Sequence, residues 1–114
     1  MDDQTDTQDV ALFLVEAKRL LSEGHYDFVP RKKNLQALAK HGLTIIDAKH
    51  ELFELTVADY YKGPKQDFDS NKPGDIWEFK KNVDGIPFYI KIKITTQDKE
   101  DILKCIGFHD DEYV

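Results

Sequence analysis

The strongest constraint on the fold of this chain is a run of strictly alternating residues between positions 86 and 94. Successive side chains of a β-strand point to opposite faces of the sheet. One face of this strand holds Ile86, Phe88, Ile90, Ile92 and Ile94. The other face holds Tyr89, Lys91 and Lys93, a phenol beside two ammonium groups. Such a face can bind a phosphodiester and move a proton near it, although a half-solvated strand with lysines in water gives the same alternation.

The size of the chain and its single cysteine limit the class of protein. A length of 114 residues fits one domain with its own core. No apolar run approaches the roughly 20 residues of a membrane span. Cys105 alone excludes an intrachain disulfide framework and a cysteine-based zinc site. Because no positively charged, apolar signal opens the chain, we expect a cytoplasmic protein with no membrane partner.

The distribution of charge matters more than its sum. The net charge of -6 argues against a protein that coats nucleic acids generally. Residues 1–9 contain four aspartates and no basic residue, so we expect an acidic, disordered tail there and a single domain over residues 10–114. The remainder is nearly balanced, and its lysines are locally grouped, which permits a local basic groove.

Helical patterns precede strand patterns along the chain. Apolar spacing predicts helices from Val10 to Leu21, over residues 32–40 with Leu35, Leu38 and Ala39 inward, and after a Thr44 cap. Residues 26–30 are typical of a short edge strand, and residues 60–74 of a turn followed by a polar loop. Strands are predicted over residues 75–83, 86–95 and 102–109, with an Asp84-Gly85 hairpin turn. The expected fold is α+β, a small antiparallel β-sheet with helices packed on one face.

Alternation on the three strands predicts which side chains share the open face of the sheet. If Trp77 and Phe79 join the core, Glu78 lies on the face of Tyr89 and Lys91. Placing Ile106 and Phe108 inside sends His109 outward. The open face then holds Glu78, Tyr89, Lys91, Lys93 and His109. A base, an acid and fixed cations are what cleavage of RNA by its own 2′-hydroxyl requires. The alternatives are a cross-strand ion pair between Glu78 and Lys91, a merely solvated His109, and a Tyr89 ring that only covers apolar surface.

Four ordered motifs together resemble a known family. They are Asp59-Tyr60-Tyr61-Lys62-Gly63-Pro64, Ile76-Trp77-Glu78-Phe79, Phe88-Tyr89-Ile90-Lys91-Ile92 and Gly107-Phe108-His109. The set is similar to the MqsR family of bacterial type II toxins, named for the motility quorum-sensing regulator. The resemblance implies a RelE-like fold, cleavage of messenger RNA and silencing by a cognate antitoxin.

The resemblance also implies roles for particular residues. Lys62 matches the functional lysine that follows an aromatic residue in that family, and Tyr89 matches its strand tyrosine. Glu78 stands where the best-known member has an amide, and His109 where that member has a lysine. Histidine titrates near neutral pH and glutamate accepts a proton, so these departures leave chemistry possible.

The sequence as a whole predicts an endoribonuclease that needs neither metal nor cofactor and acts on single-stranded messenger RNA. We expect Lys62, Glu78, Tyr89 and His109 to be catalytic. Lys91 and Lys93 are expected to contact phosphate and Tyr61 to stack on a base. Expected partners are messenger RNA and an antitoxin, with dependence on the ribosome left open. The alternative is a noncatalytic interaction module, toxin-derived or phage-associated, which the acidic balance and the altered positions 78 and 109 favour.

Overall fold

A five-stranded sheet with three helices forms the domain in the computed structural model, which describes residues 6–67 and 74–111. The helices are α1 (Thr7–Ser22), α2 (Lys32–Lys40) and α3 (Ile45–Phe53), followed by a 3-10 turn at Val57–Asp59. The strands are β1 (Tyr26–Phe28), β2 (Tyr60–Gln66), β3 (Asp75–Val83), β4 (Ile86–Gln97) and β5 (Glu100–Asp110). Their order across the sheet is β1-β5-β4-β3-β2. The predicted α+β class is confirmed, and the sheet is mixed because β1 runs parallel to β5.

Helix α1 begins earlier than its apolar spacing indicates. The side chain of Asp6 accepts a hydrogen bond from the Asp9 backbone N–H at 2.9 Å, and the Asp9 side chain accepts one from the Asp6 backbone N–H. This capping box satisfies backbone donors that a helix start leaves unpaired. Residues 7–9 therefore belong to the helix rather than to the expected tail, and residues 1–5 lie outside the described residues.

Helix α2 has the predicted bounds but a different buried face. Leu35 is 41% exposed and Ala39 is exposed, whereas Asn34, Ala37 and Leu38 are buried. The reason lies in Asn34, whose amide nitrogen donates to the carbonyls of Val29 at 3.1 Å and Ile106 at 3.2 Å. Its amide oxygen accepts from the Phe108 N–H at 3.0 Å. One side chain thus continues the hydrogen bonding of β1 along the edge of β5 and fixes the helix there.

The strand β2 replaces the turn and polar loop predicted over residues 60–74. Its pairing with β3 runs from Tyr60 opposite Phe79 to Gln66 opposite Asp75. Irregular register explains why the strand is hard to detect in sequence, since Gly63-Pro64 interrupts the ladder. The part of the predicted loop at residues 68–73 lies outside the described residues.

The core lies between the helices and one face of the sheet. Its largest fully buried rings are Phe79, Phe88 and Phe108, from β3, β4 and β5. Trp77 stacks on Phe13 of α1 with ring centroids 4.4 Å apart, which confirms its predicted place against the core. Phe108 lies in the core as predicted, whereas Ile106 is buried but lies outside the core cluster. Lys91 pairs with Gly107 and Ile92 with Cys105, so Ile106 is the extra residue of a bulge and Cys105 takes the core position.

Among the described residues, no helix is long and apolar enough to cross a membrane.

Candidate active site on the open face of the sheet

The register of the strands gathers the predicted residues into two neighbouring rows on the face opposite the helices. In the first row Lys62 of β2 pairs with Glu78 of β3, and Glu78 pairs with Lys91 of β4. In the second row Lys80 pairs with Tyr89, and Tyr89 pairs with His109 of β5. Residues 78 and 80 are two apart, as are 89 and 91, so both rows point to the same side. The shared face predicted for Glu78, Tyr89, Lys91 and His109 is present.

A bulge in β2 adds Tyr61 to this face. Tyr60 pairs with Phe79 and Lys62 with the preceding Glu78, so one residue of β2 has no opposite partner. The ring of Tyr61 meets that of Tyr89 edge to face at 6.1 Å between centroids. The Lys80 ammonium lies 4.2 Å from the centroid of the Tyr61 ring, and the Lys62 ammonium 5.2 Å. We define the open patch as Tyr61, Lys62, Lys80, Tyr89, Lys91 and His109.

His109 and Tyr89 form the centre of the open patch. Their rings stack with centroids 5.5 Å apart and planes 20° from parallel. The Nδ1 atom of His109 lies 3.1 Å from the backbone carbonyl of Asp110. Because a carbonyl oxygen only accepts, this contact places the proton of the neutral ring on Nδ1. The other ring nitrogen, Nε2, then carries the lone pair that can take up a proton.

A glycine on β5 makes room for the side chain of Lys91. A Cβ atom built on Gly107 would lie 3.2 Å from the Cβ atom and 3.3 Å from the Cγ atom of Lys91. The aliphatic stem of Lys91 therefore crosses β5 where a larger residue would push it away. Its ammonium lies 5.4 Å from the centroid of the Tyr89 ring. The absence of a side chain at Gly107 thus allows the Lys91 ammonium to take this position.

Glu78 lies beneath the patch rather than on it. The residue is 0% exposed, and its carboxylate forms an ion pair with Lys65 of β2, whose side chain is 48% exposed. Among the described residues the Oε1 atom has no hydrogen-bond partner. A buried carboxylate cannot reach the 2′-hydroxyl of a substrate, so the catalytic role expected for Glu78 is replaced by one of holding Lys65.

We expect Lys65→Ala to destabilise the protein by about 1–2 kcal/mol. The change leaves a buried carboxylate unpaired, which costs roughly 3–5 kcal/mol in a dry interior and less here because Lys65 is half exposed. Urea unfolding of the single and double variants measures this. Adding Glu78→Gln to Lys65→Ala should restore most of the lost unfolding free energy. If Lys65→Ala lowers that free energy equally in the wild-type and Glu78→Gln backgrounds, the two residues are not coupled.

The end of the open face near Lys93 is closed. Lys93 is 4% exposed and its ammonium lies 2.6 Å from the carboxylate of Asp67. Ile76, on the neighbouring strand, is also buried. The ammonium of Lys93 is therefore engaged within the protein, and the phosphate contact expected of Lys93 has no exposed cation to make it.

Lys80 is a member of the patch that sequence reasoning missed. Its ammonium lies between the Tyr61 ring and the carboxylate of Asp111, the latter at 3.0 Å. The sequence contains the information needed to place it, since Lys80 follows Glu78 by two residues and alternation puts both on the same face. Alternation sends the adjacent Lys80 and Lys81 to opposite faces, and Lys81 forms an ion pair with Glu51 of α3.

Cysteine and metal chemistry have little support in the described part of the chain. Burial raises the pKa of the Cys105 thiol to about 12, so the thiol stays protonated and unreactive. Residues 6–67 and 74–111 contain no group of three or more His, Cys, Asp or Glu side chains placed to hold a metal ion.

Comparison of the chain with protein-family models, with curated proteins and with solved structures gives no match.

Proposed function

We propose that the protein is an endoribonuclease that cuts single-stranded RNA through attack of the ribose 2′-hydroxyl on the neighbouring phosphate. The observation that carries the proposal is the stacked pair of Tyr89 and His109 with lysines of adjacent strands around it. A proton acceptor beside fixed cations is the minimum equipment for this reaction, which needs no metal.

The proposed reaction assigns a proton path to His109. Its Nε2 atom takes the proton of the 2′-hydroxyl, and the oxygen forms a bond to phosphorus. The bond from phosphorus to the 5′-oxygen breaks, and that oxygen receives a proton from the imidazolium, directly or through water. The products are a 2′,3′-cyclic phosphate and a 5′-hydroxyl, so the protein ends in its starting protonation state.

The remaining patch residues stabilise charge and orient the substrate. Lys62 and Lys91 contact the phosphate as negative charge builds on its oxygens. The hydroxyl of Tyr89 donates a hydrogen bond to the same group. Tyr61 is 40% exposed and offers a ring face on which a base can stack, a contact that single-stranded nucleic acids supply and duplexes do not.

The resemblance to the MqsR family supports a more specific biological proposal. In this proposal the substrate is messenger RNA and the protein is the toxin of a type II pair, held inactive by an antitoxin. Dependence on the ribosome stays open in this proposal, although an acidic protein would gain from having its substrate presented. The chain departs from the best-known member of that family at Glu78 and His109, and the proposed proton path depends on His109.

Replacement of every ribose by 2′-O-methyl ribose tests the proposed nucleophile. The methyl group removes the attacking hydroxyl and leaves bases and phosphates in place. We expect the purified protein to bind both forms of one single-stranded sequence with similar affinity and to cut only the unmodified form. Cleavage of the methylated strand would contradict attack by the 2′-hydroxyl, and absence of binding to either strand would contradict RNA as the substrate.

A further inference from the structure

A basic pocket lies between α2 and the end of β5, at one side of the open patch. It has a volume of about 140 Å³ and is lined by Lys33, Gln36, Ala37, Lys40, His109 and Asp110. A water molecule occupies roughly 30 Å³, so the pocket has room for a phosphate group. His109 belongs to both places, because its ring stacks on Tyr89 of the patch and also lines this pocket.

The chemistry of the lining favours an anion. Lys33 and Lys40 supply two ammonium groups, and Gln36 supplies an amide donor. One carboxylate, that of Asp110, opposes them, and it is shared between Lys40 at 3.3 Å and His41 at 3.5 Å. Lys40 keeps 64% of its side chain exposed, so its ammonium can turn from Asp110 to a ligand. The charges of Lys33, Lys40 and Asp110 leave the lining with a net positive charge.

The helix that presents these lysines is held firmly against the strand that carries His109. Residues 33, 36 and 40 are three and seven positions apart on α2 and so lie on one side of it. The neighbouring Asn34 fixes the helix through hydrogen bonds to the backbone of Ile106 and Phe108 on β5. The helix that carries the lysines and the strand that carries His109 are therefore joined by buried hydrogen bonds.

We propose that this pocket binds the phosphate of a nucleotide next to the one that is cut, which extends the substrate path from the open patch across His109 to α2. The inference rests on the proposed function, since it places a second phosphate of the same RNA strand. It makes Lys33 and Lys40 contacts to the backbone, which carry no base specificity. Substrates long enough to reach α2 then bind more tightly than a dinucleotide.

Binding of non-cleavable 2′-O-methyl RNA by Lys33→Ala tests the pocket, with Lys32→Ala as its matched control. Both residues are exposed lysines in the first turn of the same helix, and only Lys33 lines the pocket. At about 150 mM salt, where distant charges are largely screened, Lys33→Ala should weaken binding of a single-stranded oligonucleotide by about five- to ten-fold. It should also lower the slope of log affinity against log salt by about 0.7.

Two further measurements separate the possible outcomes. A dinucleotide should bind wild type and Lys33→Ala equally, and Asp110→Asn should strengthen binding of the oligonucleotide because it removes the opposing carboxylate. If wild type binds RNA and Lys33→Ala and Lys32→Ala bind the oligonucleotide with equal affinity and salt slope, the proposed phosphate site in the pocket is overturned and the proposed function is not. Failure of wild type to bind any RNA would overturn the proposed function and the pocket with it.

Discussion

Replacement of His109 by alanine is expected to reduce RNA cleavage by about 10²- to 10⁴-fold while the fold is retained, because a positioned proton acceptor contributes that much to such a reaction. The ring is only partly buried and lies outside the apolar core cluster, so its loss costs little stability. His50→Ala is the matched control, since His50 is an exposed histidine on α3. It should cut RNA at the wild-type rate.

Tyr89→Phe separates the hydroxyl of Tyr89 from its ring. The phenylalanine ring can keep the stack on His109, now 5.5 Å between centroids, so the position of the imidazole should not change. We expect about 10²-fold slower cleavage with little change in RNA binding, since one hydrogen bond to the phosphate is lost in the transition state. Full activity of both Tyr89→Phe and His109→Ala would remove the open patch from consideration as an active site.

The largest expected effect on stability comes from Asn34→Ala, about 3 kcal/mol. The change leaves the carbonyl of Ile106 and the N–H of Phe108 without their side-chain partner, whereas the carbonyl of Val29 still accepts from the Arg31 N–H at 2.8 Å. Each buried backbone group without a hydrogen-bond partner costs roughly 1–3 kcal/mol. Water that enters the space left by the side chain can bond to these groups and recover part of that cost. The free energy of unfolding of a domain of this size is about 5–15 kcal/mol, so the variant loses a large share of its stability.

Urea unfolding of Asn34→Ala beside Leu35→Ala measures this effect. Leu35 is the next residue of α2 and is 41% exposed, so its truncation should cost less than about 1 kcal/mol. Asn34→Asp should also destabilise, because a carboxylate keeps the acceptor for Phe108 but loses the donor to Val29 and Ile106. Similar midpoints for Asn34→Ala and Leu35→Ala would show that Asn34 does not hold α2 to the edge of β5.

Three members of the open patch, Tyr89, Lys91 and His109, could be predicted to share a face because alternation is a property of the strand itself. The side chains of residues 89 and 91 share a face whatever the rest of the fold does, and the tight Asp84-Gly85 turn makes β3 and β4 neighbours. The pairing of Tyr89 with His109 needed the register of β5, which its bulge at Ile106 shifts. Alternation therefore predicts on which face of the sheet a side chain lies, but not which residue of the neighbouring strand lies opposite it.

Other features depend on long-range contacts that no local pattern contains. Asn34 is polar, and a helical apolar pattern assigns it to the surface, yet it is 1% exposed because a strand edge needs its amide. Glu78 was expected to be accessible on alternation alone, and its burial depends on Lys65 from an irregular strand. The Gly63-Pro64 pair that signals a turn in sequence lies instead within β2.

The acidic net charge is compatible with a local phosphate site because many of the lysines are paired within the protein. Lys65, Lys81 and Lys93 face Glu78, Glu51 and Asp67, respectively. Lys62 and Lys91 lie instead beside tyrosine rings on the open patch. Individual lysines of the patch can therefore hold a phosphate although the whole protein is acidic, which favours a positioned phosphate over nonspecific binding of nucleic acid.

The most direct test of the central claim is cleavage of an end-labelled single-stranded messenger RNA by the purified protein in excess EDTA, with Lys62→Ala beside it. Lys62 is exposed on the open patch, so its replacement should leave the fold unchanged. The account predicts fragments that end in 2′,3′-cyclic phosphate, and a strong loss of cleavage in the variant. Cleavage that stops when EDTA is added, or that leaves 3′-hydroxyl ends, would contradict it.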